Sequence, residues 1–287
     1  MLQPFISFYN TVFANPIVNL LALYHYLFTL AKIPGTLGFS IVALTVTIRL
    51  LLHPFFKQQM DSAKKMQDVK PHIDNLSKKH KGDAKKIQEE QMRIYQEAGI
   101  NPASGCLFMI IQIPVFIALY QTLQHFFVAD TTKVILSLNK ILYFPFLHFK
   151  TLDSWFLGLN LAASPKQMNS IFAYLIPIVT GILQYFQTVS TTAGMAASNA
   201  VSPVKSKDKD GKTKGSSSGD DFQKAMNTQM KYVFPFMIGW FSLSMPVGLA
   251  LYWNIFSVFS IIQYELHKRE TKTVKTSLNQ LKSAKIS

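Results

Sequence analysis

Apolar positions gather along the chain into long dry runs separated by stretches of Lys, Gln, Ser and Glu. A helix needs about 20 mostly apolar residues to cross the roughly 30 Å hydrocarbon core of a bilayer. Five segments approach that length: 36–56, 104–127, 170–189, 232–245 and 247–266. The first contains Arg49, and the other four hold no charged residue before Glu265. The fourth is the shortest and is hinged to the fifth at Met245-Pro246; Pro114, Pro177 and Pro235 fall inside spans, where helix bundles tolerate proline. The apolar stretch 16–31 is shorter, carries His25 at its centre and has no positive residue before it. It suits neither a signal peptide nor a full span, and reads as an external interfacial helix. Residues 134–161 mix apolar positions with Lys140, Lys150 and Asp153 and read as an external, surface-lying segment.

Between the first two spans the pattern changes period. Met60, Ala63, Met66, Val69, Ile73 and Leu76 recur at three- and four-residue spacing, as do Ala84, Ile87, Ile94 and Ala98 beyond a break at Lys81-Gly82-Asp83. This predicts a polar helical hairpin over 57–103 with two narrow facing stripes. Met60, Met66, Ile73, Ile87 and Ile94 are its candidate contact residues, the methionines offering adaptable apolar area. Residues 190–231 turn to Ser, Gly, Lys and Asp and read as a flexible linker. The tail 267–287 is basic and polar and reads as mobile. The fold class is all-α: a polytopic membrane protein with a five-helix core, a cytoplasmic hairpin and an external interfacial helix.

Composition agrees. Of 287 residues 49% are hydrophobic and only 15% charged, against roughly a quarter in soluble domains. The net charge of +14 admits a nucleic-acid reading, but the distribution of the basic residues argues otherwise. Placing the segments between spans on alternate sides puts 23 Lys and Arg on one face and 5 on the other, which by the positive-inside rule sets the N-terminus outside and the C-terminus in the cytoplasm. DNA is not an expected partner; ribosomal RNA stays open for the tail. The single cysteine, Cys106, builds no disulfide framework or cysteine metal site.

Arg49 is the most informative residue, because an arginine within a span costs about 2.5–3.5 kcal/mol on insertion scales. At about 1.5 Å per residue it lies roughly 10 Å from the cytoplasmic end, where snorkelling is one resolution. Its neighbours offer another. Thr45, Arg49 and His53 form a polar stripe; Thr180, Gln184 and Gln187 form one on the third span, Trp253, Ser257, Ser260 and Tyr264 one on the fifth, and Gln112 adds an amide to the second. Each stripe alone is equally explained by interhelical hydrogen bonding. Converging on a charge for which the spans hold no acidic residue before Glu265 at the end of the fifth, they favour a wet cavity open to the cytoplasm. No phosphate-binding glycine loop, zinc-spaced histidine pair, cysteine cluster or Gly-x-Ser-x-Gly elbow is present, so neither an enzyme nor a cofactor is expected.

Three local patterns resemble the YidC family of membrane protein insertases, with its Oxa and Albino relatives: Gly38-Phe39-Ser40-Ile41 followed by Thr45 and Arg49; YQEAGINPASG over 95–105 followed by QIPVFIALY over 112–120; and PVGLALYW over 246–253 followed by Ile261-Ile262-Gln263. The resemblance covers roughly 15–270. It implies a five-helix core with a hydrophilic groove open to cytoplasm and lipid, a groove arginine at Arg49, and groove polar residues at Thr45, Gln187, Tyr252 and Trp253. It further implies nascent membrane proteins as substrates in a plasma membrane, with a Sec-type translocon, signal recognition machinery and the ribosome as further partners. The large external domain of many Gram-negative members, their upstream first span and a lipoprotein-type cysteine near the N-terminus are not expected from this sequence, and the linker is longer and more polar than usual. A rival expectation is a small-anion transporter with Arg49 as its binding site, although no inverted repeat is visible.

Overall fold

The computed structural model describes residues 3–80, 83–100, 113–122, 131–168, 170–195 and 229–284. Cys106, Gln112 and residues 196–228 of the expected linker lie outside them. The chain divides into two compact units, one of Met1–His53, Met109–Gln184 and Pro235–Phe259, the other of Pro54–Phe108, Tyr185–Phe234 and Ser260–Ser287.

The first unit opens with α1 (Gln3–Tyr9), a π-turn (Asn10–Ala14) and α2 (Asn15–Leu30). Pro16 sits in the first turn of α2, and the widened turn before it accommodates a ring that brings no N–H. Helix therefore extends well upstream of the expected 16–31, and Ile6–Leu30 is long and apolar enough to cross a membrane by length and composition. Gly35, with φ of 73°, starts α3 (Thr36–Leu51). Its first turn carries Gly38, on which the Phe156 ring lies so closely that a Cβ would stand 2.1 Å from it. A core of Leu21, Leu37, Ile41, Leu44, Leu119, Leu161 and Leu249 joins these helices to α6 (Ile113–Thr122) and to the first turns of α11 (Val247–Ala284).

Residues 131–161 hold more structure than their polarity suggested. α7 (Thr131–Asn139) leads to a 3-10 turn (Pro145–Leu147), and β1 (Trp155–Phe156) pairs antiparallel with β2 (Leu159–Asn160). Leu157 and Gly158, at φ of 51° and 80°, close this hairpin in the left-handed conformation that two-residue hairpin turns require. The pair is a small addition to an otherwise helical chain.

After α8 (Pro165–Met168), α9 (Leu175–Met195) meets α10 (Phe234–Ser242) where Gly181 faces Gly239; a Cβ on Gly239 would stand 3.1 Å from the Pro177 carbonyl. Between lipid-embedded helices such backbone proximity supplies the dispersion contact that hydrophobicity cannot. Ile178, Ile182, Phe236, Met237 and Trp240 are exposed, a surface suited to lipid rather than water. Val247–Thr271 is the second run long enough to cross a membrane, and its helix continues to Ala284, so the tail read as mobile is helical through most of its length.

In the second unit α4 (His53–Lys79) and α5 (Ala84–Glu97) carry the stripes of the polar segment. Met66, Ile73, Tyr95 and Ile100 form a buried cluster with Val69, Ile94 and Ala98 packed against it. Asp83 caps α5, its Oδ1 accepting from the Lys86 backbone N–H at 3.1 Å. Gln91 donates to the Tyr95 hydroxyl at 3.0 Å, and burial raises the Tyr95 pKa, with the Gln91 hydrogen bond opposing the shift.

Candidate functional site

α3 delivers Arg49 in its last turn, buried to 3% exposure. Compensation for its charge is found on α11. The guanidinium carbon stands 3.5 Å from the centroid of the Phe256 ring, and Nη2 donates to the Phe256 carbonyl at 3.1 Å. A ring face and a carbonyl both present negative potential to the cation. Phe256 was not legible as a site residue, because a phenylalanine in an apolar helix reads as lipid-facing; its place one turn after Tyr252 is the signal that marks it. The Tyr252 and Phe256 rings lie 6.0 Å apart, and Tyr252 is buried.

The other positions gather around the same helix. Thr45, one turn before Arg49, is buried and donates to its own Ile41 carbonyl at 2.6 Å. Trp253 donates its indole N–H to Gln184 Oε1 at 2.7 Å, tying α11 to α9, and meets Phe116 of α6 edge-on at 5.3 Å. Ser257 is fully buried next to Phe256 in sequence. α11 is thus the common wall on which side chains of α3, α6 and α9 converge. Near its hinge, Phe116, Tyr120, Ser164, Gln167, Phe241 and Met245 line an open cleft of about 410 Å³.

Three further expected members are His53, Gln187 and Gln112. His53 is exposed at the start of α4, because α3 ends at Leu51 and the i+8 relation to Thr45 needs an unbroken helix. Gln187 is half-buried in the second unit, and Gln112 lies outside the described residues. In the polar segment, Met60 and Met66, expected to offer contact surface, are buried at 6% and 3% exposure, as is Ile73 at 4%. For Met66 and Ile73 the stripe that makes them recognisable is the one that packs the arms together. Ile87 and Ile94 are half-buried, and the exposed methionine here is Met92.

Residues 29–275 match the family model described as 60Kd inner membrane protein. The inner membrane ALBINO3-like protein 2 of the Chlamydomonas reinhardtii chloroplast is 30% identical over 249 residues, covering 85% of this chain and 52% of the relative. The membrane protein insertase YidC of Caldanaerobacter subterraneus is 28% identical over 241 residues, covering 84% of this chain and 89% of the relative. The chloroplast inner membrane protein ALBINO3 of Arabidopsis thaliana is 32% identical over 261 residues, covering 89% and 51%. The chain spans about half the length of the two chloroplast relatives.

Proposed function

Because the chain belongs to the YidC, Oxa and Albino family of membrane proteins, we propose that it is a membrane protein insertase and not an enzyme. The reading includes a five-helix core, the N-terminus outside and the C-terminus in the cytoplasm. A nascent protein brings its apolar segment to the polar helical hairpin while its short polar flank enters a groove beside α11. Arg49 attracts acidic residues of that flank, and Thr45, Gln184, Gln187, Tyr252, Trp253 and Ser257 offer it polar contacts. Water in the groove shortens the dry path and so lowers the several-kcal/mol penalty of carrying polar groups through hydrocarbon. Burial of the substrate's apolar segment in lipid supplies the drive, so no nucleotide is required.

The observation that carries this reading is the buried Arg49 within an apolar helix, held by a π-face and a carbonyl of α11. An ionisable residue at such a place marks a functional site by default, and a carboxylate is the group a guanidinium binds best. The test is insertion of a single-span substrate with an acidic tail into proteoliposomes containing only this protein, scored by protease protection of the tail. Protection above empty liposomes is expected. Protection equal to empty liposomes, with the protein correctly oriented, overturns a self-sufficient insertase. Outside labelling of a cysteine placed beside Arg49 would instead favour an anion transporter.

A further inference from the structure

The insertase reading makes no use of the loop after α7, which is the most deliberately shaped non-helical part of the first unit. Two asparagine side chains hold it by paired hydrogen bonds. Asn19, buried at 6% exposure in the second turn of α2, donates to the Ile141 carbonyl at 3.0 Å and accepts from the Tyr143 N–H at 2.6 Å. Asn139 donates to the Phe149 carbonyl at 3.2 Å and accepts from the Phe149 N–H at 2.9 Å. Each amide thus closes a ring with backbone as a neighbouring strand would.

The clamped loop sorts its side chains. Leu147 and Phe149 are buried with Val18, Ala22 and Leu138. Tyr143, Phe144 and Phe146 point the other way, at 55%, 54% and 53% exposure. The Phe144 and Phe146 rings stack at 5.5 Å, and Phe146 meets Tyr26 of α2 edge-on at 5.5 Å. The exposed lysines Lys140 and Lys150 bracket the aromatics, and no acidic residue falls between them. Asp153, the nearest acid in sequence, accepts from the Trp155 N–H at 2.9 Å.

We propose that Tyr143, Phe144 and Phe146, bracketed by Lys140 and Lys150 and held by Asn19 and Asn139, form an anchor that seats in an anionic lipid headgroup region. Aromatic rings with a polar end and long cationic side chains are the residues that prefer this depth. The depth also follows from the docking point. Irregular backbone facing lipid is not tolerated within hydrocarbon, yet this loop is fastened to the midpoint of the apolar run Ile6–Leu30. That midpoint therefore lies at headgroup depth, and α2 lies along the interface instead of crossing the bilayer.

Site-directed spin labelling of the full chain tests this. In a Cys106→Ser background, Phe144→Cys and, separately, Tyr143→Cys carry a nitroxide in liposomes of phosphatidylglycerol and phosphatidylcholine; Glu89→Cys on α5 is the water-exposed control. Collisions with oxygen are expected to exceed those with a water-soluble nickel chelate at 143 and 144, the reverse of position 89. Nickel access equal to that at position 89 overturns the proposal. Dipolar broadening between labels of two molecules assigns the face to a second copy and also overturns it. Replacing phosphatidylglycerol by phosphatidylcholine is expected to shift both labels toward water; an unchanged depth overturns the role given to the two lysines. Asn19→Ala is expected to sharpen the label spectrum at 144 and reduce its depth, and no change in either removes the clamp from the proposal.

Discussion

Arg49 and Phe256 meet face-on between α3 and α11, the guanidinium carbon 3.5 Å from the ring centroid, while the carbonyl of the same phenylalanine accepts from Nη2 at 3.1 Å. The pair fixes the guanidinium in place. Phe256→Leu removes the π-face and is expected to destabilise the protein by about 1–2 kcal/mol, read as a lowered melting temperature in detergent. Phe256→Tyr is expected to keep wild-type stability. Equal melting for Leu and Phe would show that the ring contributes packing alone.

Replacing the charge itself separates electrostatics from shape. Arg49→Glu is expected to fold but to lose insertion of substrates with acidic tails, while sparing those with neutral tails. Arg49→Lys is expected to retain much of the activity if charge rather than forked geometry matters. Equal insertion of acidic tails by Arg49→Glu and wild type would remove the attraction step.

The Trp253–Gln184 hydrogen bond at 2.7 Å predicts a measurable coupling between α11 and α9. Trp253→Phe and Gln184→Met are each expected to destabilise, and a double-mutant cycle to return about 0.5–1.5 kcal/mol. Additive effects would show that the two helices are held by packing alone.

Gly38 has no room for a methyl group, since a Cβ there would stand 2.1 Å from the Phe156 ring. Gly38→Ala is expected to cost about 1–3 kcal/mol. Combining it with Phe156→Leu should recover part of the loss, and no recovery would place the strain elsewhere.

The hairpin offers a pH prediction. Burial raises the Tyr95 pKa above its ordinary 10.0, so the folded state favours the neutral phenol. Its contribution to stability is whole below that ordinary value and is lost as pH climbs through the raised one. Absorbance titration at alkaline pH should therefore find a late-ionising component that Tyr95→Phe reduces; an unchanged curve would exclude a raised Tyr95 pKa.

The readable parts of this chain are those where one residue type has one physical solution. An arginine in an apolar helix needs partners wherever it falls, and the three- and four-residue spacing of Met66, Val69 and Ile73 selects a helix face that Tyr95 and Ile100 cover. The same spacing could not say whether that face is covered by its own hairpin or left for a partner, and for Met66 the hairpin itself covers it. Phe256 was hidden because its role depends on a helix distant in sequence. Asn19 was hidden because one amide in an apolar run looks like an interruption, and its purpose appears only with residues 141 and 143 beside it. The β1–β2 pair is too short to produce an alternating pattern, and the helix of the tail was not anticipated because polar composition was weighed above helix propensity.

The double use of Phe256 has a consequence for mutagenesis. The carbonyl that accepts from Arg49 is main chain, present whichever side chain occupies position 256, so scanning that position samples only the ring. The carbonyl becomes accessible by exchanging the peptide nitrogen of Ser257 for an ester oxygen, which weakens the carbonyl before it as an acceptor. An aliphatic residue at position 256 would still present Arg49 with an oxygen, so the charge stays moored by backbone even where the ring is lost.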